Sequence, residues 1–266
     1  VSRQVAYLGN DTLLTTTKLG RKIYVDGRDL SVAPHLLMEG DWERWITSFM
    51  QRQIMQRKDD PQGTLLIDVG ANFGWYSLIM WFTKEAKYDL LAIEPNPRLC
   101  ELLAMTLNVN GIPARSLVRK AAGPELAYAN LHFDPTCVGG GFTSDEPAPV
   151  APAHLPDHLK QRTVPVEVVP LDALVDDGKR VAMIKIDVEG NEPGVIAGAK
   201  RIIAENPFIE LLIEHHHTPA HRRMLDELLD DGFGLFWVGY DSALKPIPLD
   251  EVDEKVPVAD MVYLRR

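Results

Sequence analysis

The sequence predicts an α/β fold: a doubly wound, mostly parallel sheet with helices on both faces and a short N-terminal β/α extension. Three observations carry the prediction. Leu65, Leu66, Ile67 and Val69 form an apolar run interrupted only by Asp68, and Gly70 and Gly74 follow before a helical pattern begins. Strand, tight glycine turn and helix in that order wrap a backbone round a polar or anionic cofactor at a helix N-terminus. Two further buried runs, 88–93 and 181–188, end in the acids Glu94 and Asp187. Strand runs that alternate with helix-period runs imply parallel pairing through crossover helices.

Taken in order, residues 12–32 are rich in Thr, Lys, Tyr and Val, with turn signals at Leu19-Gly20 and Asp26-Gly27. They read as short strands or a hairpin. Trp42, Trp45, Ile46, Phe49, Met50 and Ile54 have helical spacing over 40–58. The arm 1–60 is thus expected to pack on the core, where it can also cover a cofactor or shape an acceptor pocket. The main domain, 61–266, opens with the organising strand and a helix over 75–84. A strand over 88–93 stops at Glu94-Pro95-Asn96-Pro97, and Leu99, Leu102, Leu103 and Leu107 mark the next helix. Weaker strands are expected over 115–121 and 126–133.

Residues 135–162 carry five prolines and the run Gly139-Gly140-Gly141. A connection of that length in a compact domain is a functional loop or a disordered one, so a substrate lid and plain disorder both stay open. Beyond it come a strand over 163–169, a short helix from Leu171, the strand over 181–188, and a helix capped by Asn191 with Pro193 in its first turn. A strand over 208–213 ends in Glu214-His215-His216-His217, then a helix over 219–229 and strands near 233–239 and 258–264 complete the chain.

Composition narrows the function. At 266 residues, 45% hydrophobic and 25% charged, the chain is an ordinary globular protein. Its net charge of −10 argues against a nucleic-acid partner, which needs phosphate-neutralising Lys and Arg. No apolar run is long enough to span a bilayer, and no signal pattern is visible at the start, although a chain beginning at Val1 leaves a trimmed start open. Cys100 and Cys137 lack metal-ligand spacing and read as reduced thiols, which makes cytoplasm the expected location. Oligomeric state is open, a homo-oligomer included.

The chemistry is expected at the strand ends, where ligands bind in open α/β sheets. Asp68, Gly70, Asn72 and Gly74 spell D-x-G-x-N-x-G. A dinucleotide fingerprint needs a middle glycine where Asn72 stands. Glu94, 26 positions after Asp68, can accept two hydrogen bonds from ribose hydroxyls. NAD enzymes use the same acid, so an NAD-dependent dehydrogenase and a non-catalytic nucleoside-binding protein are the rival readings. Lys185 and Asp187 interrupt a buried strand, where unpaired charges would cost several kcal/mol. Asp187, Glu189, Glu214 and His216 are candidates to take a proton from an acceptor, with His216 preferred as base and Asp187 and Glu214 orienting it. Asp187 and Glu214, with His215 or His216, could instead hold Mg²⁺ or Mn²⁺.

The stretches IDVGANFGWYS, IEPN and IKIDVEGNEPGVIAGAKRII, followed by LLIEHH, resemble the FkbM family of S-adenosylmethionine-dependent O-methyltransferases. GRDLSVAPHLLMEGDWE resembles the family's N-terminal lead-in, so the likeness runs from about residue 20 to 217. It implies a Rossmann-like class I methyltransferase acting on a hydroxyl of a sugar-containing, glycolipid or polyketide-type acceptor. By motif match, Asp68, Gly70, Asn72 and Gly74 would border S-adenosylmethionine, Glu94 with Asn96 its ribose, and Ala121-Ala122 its adenine. Asp187 would lie beside the sulfonium.

Overall fold

A computed structural model describes residues 4–84, 87–144 and 161–266. The N-terminal arm contains β1 (Ala6–Tyr7), β2 (Thr12–Thr16) and β3 (Lys22–Asp26), joined as an antiparallel three-stranded sheet. Two helices follow, α1 (Ala33–Met38), which the sequence reading lacks, and α2 (Arg44–Gln56). The main domain then runs β4 (Leu65–Val69), α3 (Trp75–Phe82), β5 (Asp89–Ile93), α4 (Pro97–Val109) and β6 (Leu117–Val118).

An inserted segment supplies β7 (Ala121–Ala122), β8 (Ala127–Asp134), β9 (Cys137–Ser144) and β10 (Arg162–Val169). Next come β11 (Val181–Ile186), α5 (Glu192–Ala197), α6 (Lys200–Glu205), β12 (Glu210–His215) and α7 (Pro219–Asp230). The chain closes with β13 (Gly234–Val238), β14 (Leu244–Pro246), α8 (Val252–Lys255) and β15 (Asp260–Arg265).

The large sheet has the order β14-β13-β15-β12-β11-β4-β5-β6. Strands β12, β11, β4, β5 and β6 pair in parallel, while β15 pairs antiparallel with both β12 and β13. Helices cover both faces, as the alternation of patterns predicts. Leu66 and Met183 join the apolar cluster under α2, α3 and α4, and Ile67, Val69, Ile184 and Ile186 join the one under α5, α6 and α7. Successive strand residues go to opposite faces because the side-chain period of a strand is two. No helix among the described residues is long and apolar enough to cross a membrane.

Three local expectations need correcting. The strand expected over 115–121 is divided: Leu117–Val118 edges the large sheet, while Ala121–Ala122 starts a second, four-stranded sheet in the order β7-β10-β8-β9. Residues 137–144, read as part of a long loop, form β9 paired with β8; of the lid-or-disorder alternatives, residues 145–160 lie outside the described residues. Asn191 precedes α5 but does not cap it. Its Nδ2 donates to the Ala122 carbonyl at 3.3 Å, and Glu192 Oε1 accepts from the Val188 and Gly190 N–H groups.

The arm is fastened to the main domain by polar contacts as well as apolar ones. Thr106 Oγ1 accepts from the Tyr24 N–H at 3.0 Å, and Arg98 Nε lies 2.9 Å from Asp26 Oδ2. Asp26 is fully buried, and the guanidinium groups of Arg28 and Arg98 outweigh burial to hold its pKa below the usual carboxylate value.

Candidate active site

In the large sheet the tips of β5, β4, β11 and β12 are consecutive. Strands spaced about 4.8 Å apart put the two outer tips roughly 14 Å from each other. Above them lies a cavity of about 380 Å³, lined by the loops after these strands, by the start of α2 and by β7 and β9. That size is within the range of small-molecule sites.

The turn after β4 forms the floor at one end. The N–H groups of Gly70 and Ala71 both donate to the Ile93 carbonyl, fastening the turn to the end of β5. Gly70 has φ of +76°, and a Cβ there would collide with the Asp187 carbonyl, so no side chain fits. Asn72, at φ of +51°, is of a type that tolerates the left-handed region. Gly74, at φ of +93°, turns the chain into α3 and does not reach the cavity.

Glu94 follows β5 and lies in the same wall, 5% exposed. Its Oε2 accepts from the Asn72 N–H and its Oε1 from the Asn96 N–H, both at 2.9 Å. Burial dominates these bonds and pushes its pKa up to about 7. Asn96 is the N-cap of α4, with Pro97 at the first helical position. Its Oδ1 accepts from the Arg98 N–H at 3.0 Å. Its Nδ2 and the Oδ1 of Asn72 are buried without a partner among the described residues, and both residues line the cavity. Ala121 and Ala122, at the start of the second sheet, line it as well.

Asp68 is the main departure from expectation. It is fully buried and does not line the cavity. Its carboxylate accepts from Ser77 Oγ at 2.6 Å and lies 3.9 Å from Lys185 Nζ, opposite it in register. Lys185 in turn lies 3.0 Å from Asp187 Oδ2 and donates to the Gly70 carbonyl. The structure thus places the Asp68 carboxylate in this buried ion-pair relay, away from the cavity wall. Burial works against the ammonium, but Asp187 and Asp68 outweigh it and raise the Lys185 pKa.

At the far end of the cavity stand Asp187, Glu189 and Glu214, with Glu43 from the start of α2. His216, expected as the base, does not line it. Its Nε2 is 2.8 Å from Glu214 Oε2, so the imidazole stands behind the carboxylate. Burial and Asp187 raise the Glu214 pKa, and the hydrogen bond to Glu214 raises that of His216. The expected metal set of Asp187 and Glu214 with His215 or His216 does not assemble. His215 instead pairs with Asp253 at 2.8 Å, and Lys185 already puts a cation beside Asp187. Asp187, Glu189 and Glu214 do bring one oxygen each within 4.8 Å of one another.

Residues that sequence reasoning did not single out complete the wall. Glu43, Tyr76, Trp75 and the Gly139-Gly140-Gly141 run of β9 all face it. Their signals were indirect: Trp75 and Tyr76 fall in IDVGANFGWYS, Glu43 in the lead-in stretch GRDLSVAPHLLMEGDWE, and the glycine run in the long connection read as a lid or a disordered loop.

A mostly parallel sheet, a glycine turn and an acid at the neighbouring tip define an α/β protein with a small-molecule cavity across its strand ends. The chain matches the methyltransferase FkbM domain over residues 68–235, more than half its length, and it belongs to that family of methyltransferases. The match speaks against the dehydrogenase and non-catalytic readings. Comparison with curated protein sequences gives no match. Among solved structures, a methyltransferase FkbM from Methylobacillus flagellatus is 16% identical, with a TM-score of 0.49 over 79% of this chain and 45% of that one. The chain thus spans less than half the length of that relative. An S-adenosylmethionine-dependent O-methyltransferase from Thermotoga maritima is 12% identical, with a TM-score of 0.47 over 100% of this chain and 85% of that one.

Proposed function

We propose that this protein transfers a methyl group from S-adenosylmethionine to a hydroxyl of a sugar-containing or polyketide-type acceptor, with 1–60 and 61–266 acting as one structural unit. The observation that carries the cofactor reading is the pair of unpartnered amide atoms, Asn72 Oδ1 and Asn96 Nδ2, beside Glu94 in the cavity wall. A buried polar atom left unpaired costs about 1–3 kcal/mol. The ammonium of the cofactor's amino-acid part would donate to Asn72 Oδ1, and a ribose hydroxyl oxygen would accept from Asn96 Nδ2. Gly70 and Asn72 would border the amino-acid part, Glu94 and Asn96 the ribose, and Ala121 and Ala122 the adenine.

When bound, the cofactor would supply an activated methyl group, which the acceptor oxygen would take as the C–S bond breaks and neutral S-adenosylhomocysteine leaves. The chain must align that oxygen and take its proton. Glu214 faces the cavity with His216 Nε2 bonded to its Oε2. In this reading the hydroxyl proton passes to the Glu214 carboxylate, and His216 stabilises the charge change from behind. Asp187, held by Lys185, keeps the strand tip next to the reacting centre fixed.

Calorimetry with S-adenosylhomocysteine and with NAD tests the cofactor. Tight binding of the first and none of the second is expected, and the reverse removes the reading. Mass spectrometry of methyl transfer to a panel of glycoside and polyketide hydroxyls then tests the acceptor class.

A further inference from the structure

The far end of the cavity carries an unbalanced set of charges. Glu43, Asp187, Glu189 and Glu214 line it, and the only basic residue in the described wall is Lys185. That ammonium is already engaged, 3.0 Å from Asp187 and 3.9 Å from Asp68, and it donates to the Gly70 carbonyl. A low-dielectric cleft walled by one sign of charge focuses the field on whatever enters. The sulfonium of a bound methyl donor would offset one of these charges and leave the rest.

Glu43 is the most informative member. It occupies the N-cap position of α2, where a short polar side chain ordinarily caps the helix. It makes no capping bond, and its φ of 38° places it in the left-handed region, a strain of about 1–3 kcal/mol for such a residue. Its carboxylate faces the cavity instead. There the Tyr76 hydroxyl donates to Oε2 at 2.5 Å, its one side-chain partner among the described residues. A helix start that forgoes its cap and holds a strained carboxylate in a cavity is arranged around what that carboxylate meets.

Two further observations bear on the identity of the ligand. Asn96, at the cofactor end, is 2% exposed and lines the same cavity with its Nδ2 unpartnered among the described residues, which marks the cavity as a ligand site on separate grounds. Trp42, Trp75 and Tyr76 share the wall with Glu43, and the Tyr76 ring already has the Lys185 ammonium 5.1 Å from its centroid, which leaves the two tryptophans for a further cation. Aromatic faces beside carboxylates suit an organic ammonium, whereas Mg²⁺ takes oxygen ligands and keeps its waters. Burial and Asp187 push Glu43 and Glu189 each up to about 7, as befits acids short of a counter-charge.

We propose that the acceptor carries a protonated amine near the hydroxyl to be methylated, and that Glu43 is the specificity-determining residue that receives it. The inference rests on the methyltransferase reading above. A phosphorylated acceptor, such as a nucleotide-sugar, would meet these carboxylates with no free cation among the described lining residues to pair with, so the same wall selects against it.

The test is calorimetry on the full chain saturated with S-adenosylhomocysteine, using cellobiose, its diamino counterpart (fully deacetylated chitobiose) and glucose 1-phosphate as probes. The diamine should bind about tenfold or more tighter than cellobiose, the scale of one charge-assisted hydrogen bond, and glucose 1-phosphate should not bind. Glu43→Gln should remove most of that preference. Glu189→Gln, in a different loop, should lower it too, so the result does not depend on one variant folding. Equal binding of diamine and cellobiose, no binding of the diamine, or binding of the phosphate overturns the proposal. So does MgCl₂ that saturates the site and displaces the diamine. Failure to bind S-adenosylhomocysteine at all would instead strike the methyltransferase reading, whereas its binding without an amine preference strikes only this inference.

Discussion

At the β4–β5 end of the cavity a carboxylate, Glu94, is held by two backbone N–H groups, from Asn72 and Asn96. At the β11–β12 end, Glu214 and Glu43 are held by side chains, His216 and Tyr76. The first end is made of turn geometry and is insensitive to most side chains except where a Cβ will not fit. The second is made of charges converging from distant parts of the sequence, and single substitutions there should alter chemistry while sparing the fold. Glu43 lies outside the matched span 68–235, whereas the glycine turn lies inside it.

The largest expected effect is at the charged end. Glu214→Gln should lower turnover by about 10²- to 10⁴-fold, the usual loss for a general base, with S-adenosylhomocysteine affinity held. His216→Ala should cost less, since the imidazole acts through Glu214. Loss of cofactor affinity in Glu214→Gln would mean the two ends are not separable. The next effect is at the backbone end. Gly70→Ala forces a Cβ into the Asp187 carbonyl and should weaken S-adenosylhomocysteine binding by about a hundredfold, with stability lowered by about 3 kcal/mol in urea unfolding.

Both ends contribute to the pH dependence of the unliganded protein. Glu43, Glu94 and Glu189 are each raised from 4.5 to about 7 in the folded state. Between those values the folded protein binds more protons than the unfolded chain, so stability is fully present below pH 4.5 and falls as pH rises toward 7. A loss of about 2 kcal/mol for each of these groups from pH 5 to pH 7.5 is expected in denaturant titrations, and stability that rises over that interval would contradict it. The smallest effect is Gly139→Ala, where a Cβ would come 2.5 Å from Asn72 Nδ2. The amide can swing aside, so a change of only a few-fold in cofactor affinity is expected.

The backbone end is also the one that can be read from the sequence. An apolar run, two glycines and the Asn96-Pro97 pair each have a local meaning, and β4, α3, β5 and α4 form where those patterns place them. Asp68 shows the limit of reading by motif. It ends a strand in the right place, but residues 66 and 68 share one face, and that face packs under α3 with Lys185 beside it. Counting by twos along β4 and β11 would have paired Asp68 with Lys185 and kept it off the ligand. The second sheet escaped for another reason. Gly139, Gly140 and Gly141 offer no side-chain alternation, so β9 carries no strand signal until its partner β8 is known. Glu43 was hidden because a helix start explains an acid there without any site.

The measurement that tests the account most directly is a structure of the protein with S-adenosylhomocysteine. The ribose hydroxyls should lie within hydrogen-bonding distance of Glu94, with the sulfur toward Asp187 and Nδ2 of Asn96 partnered. A ligand lying elsewhere, or one that leaves Glu94 and Asn96 untouched, would contradict the assignment of these strand tips as the cofactor site.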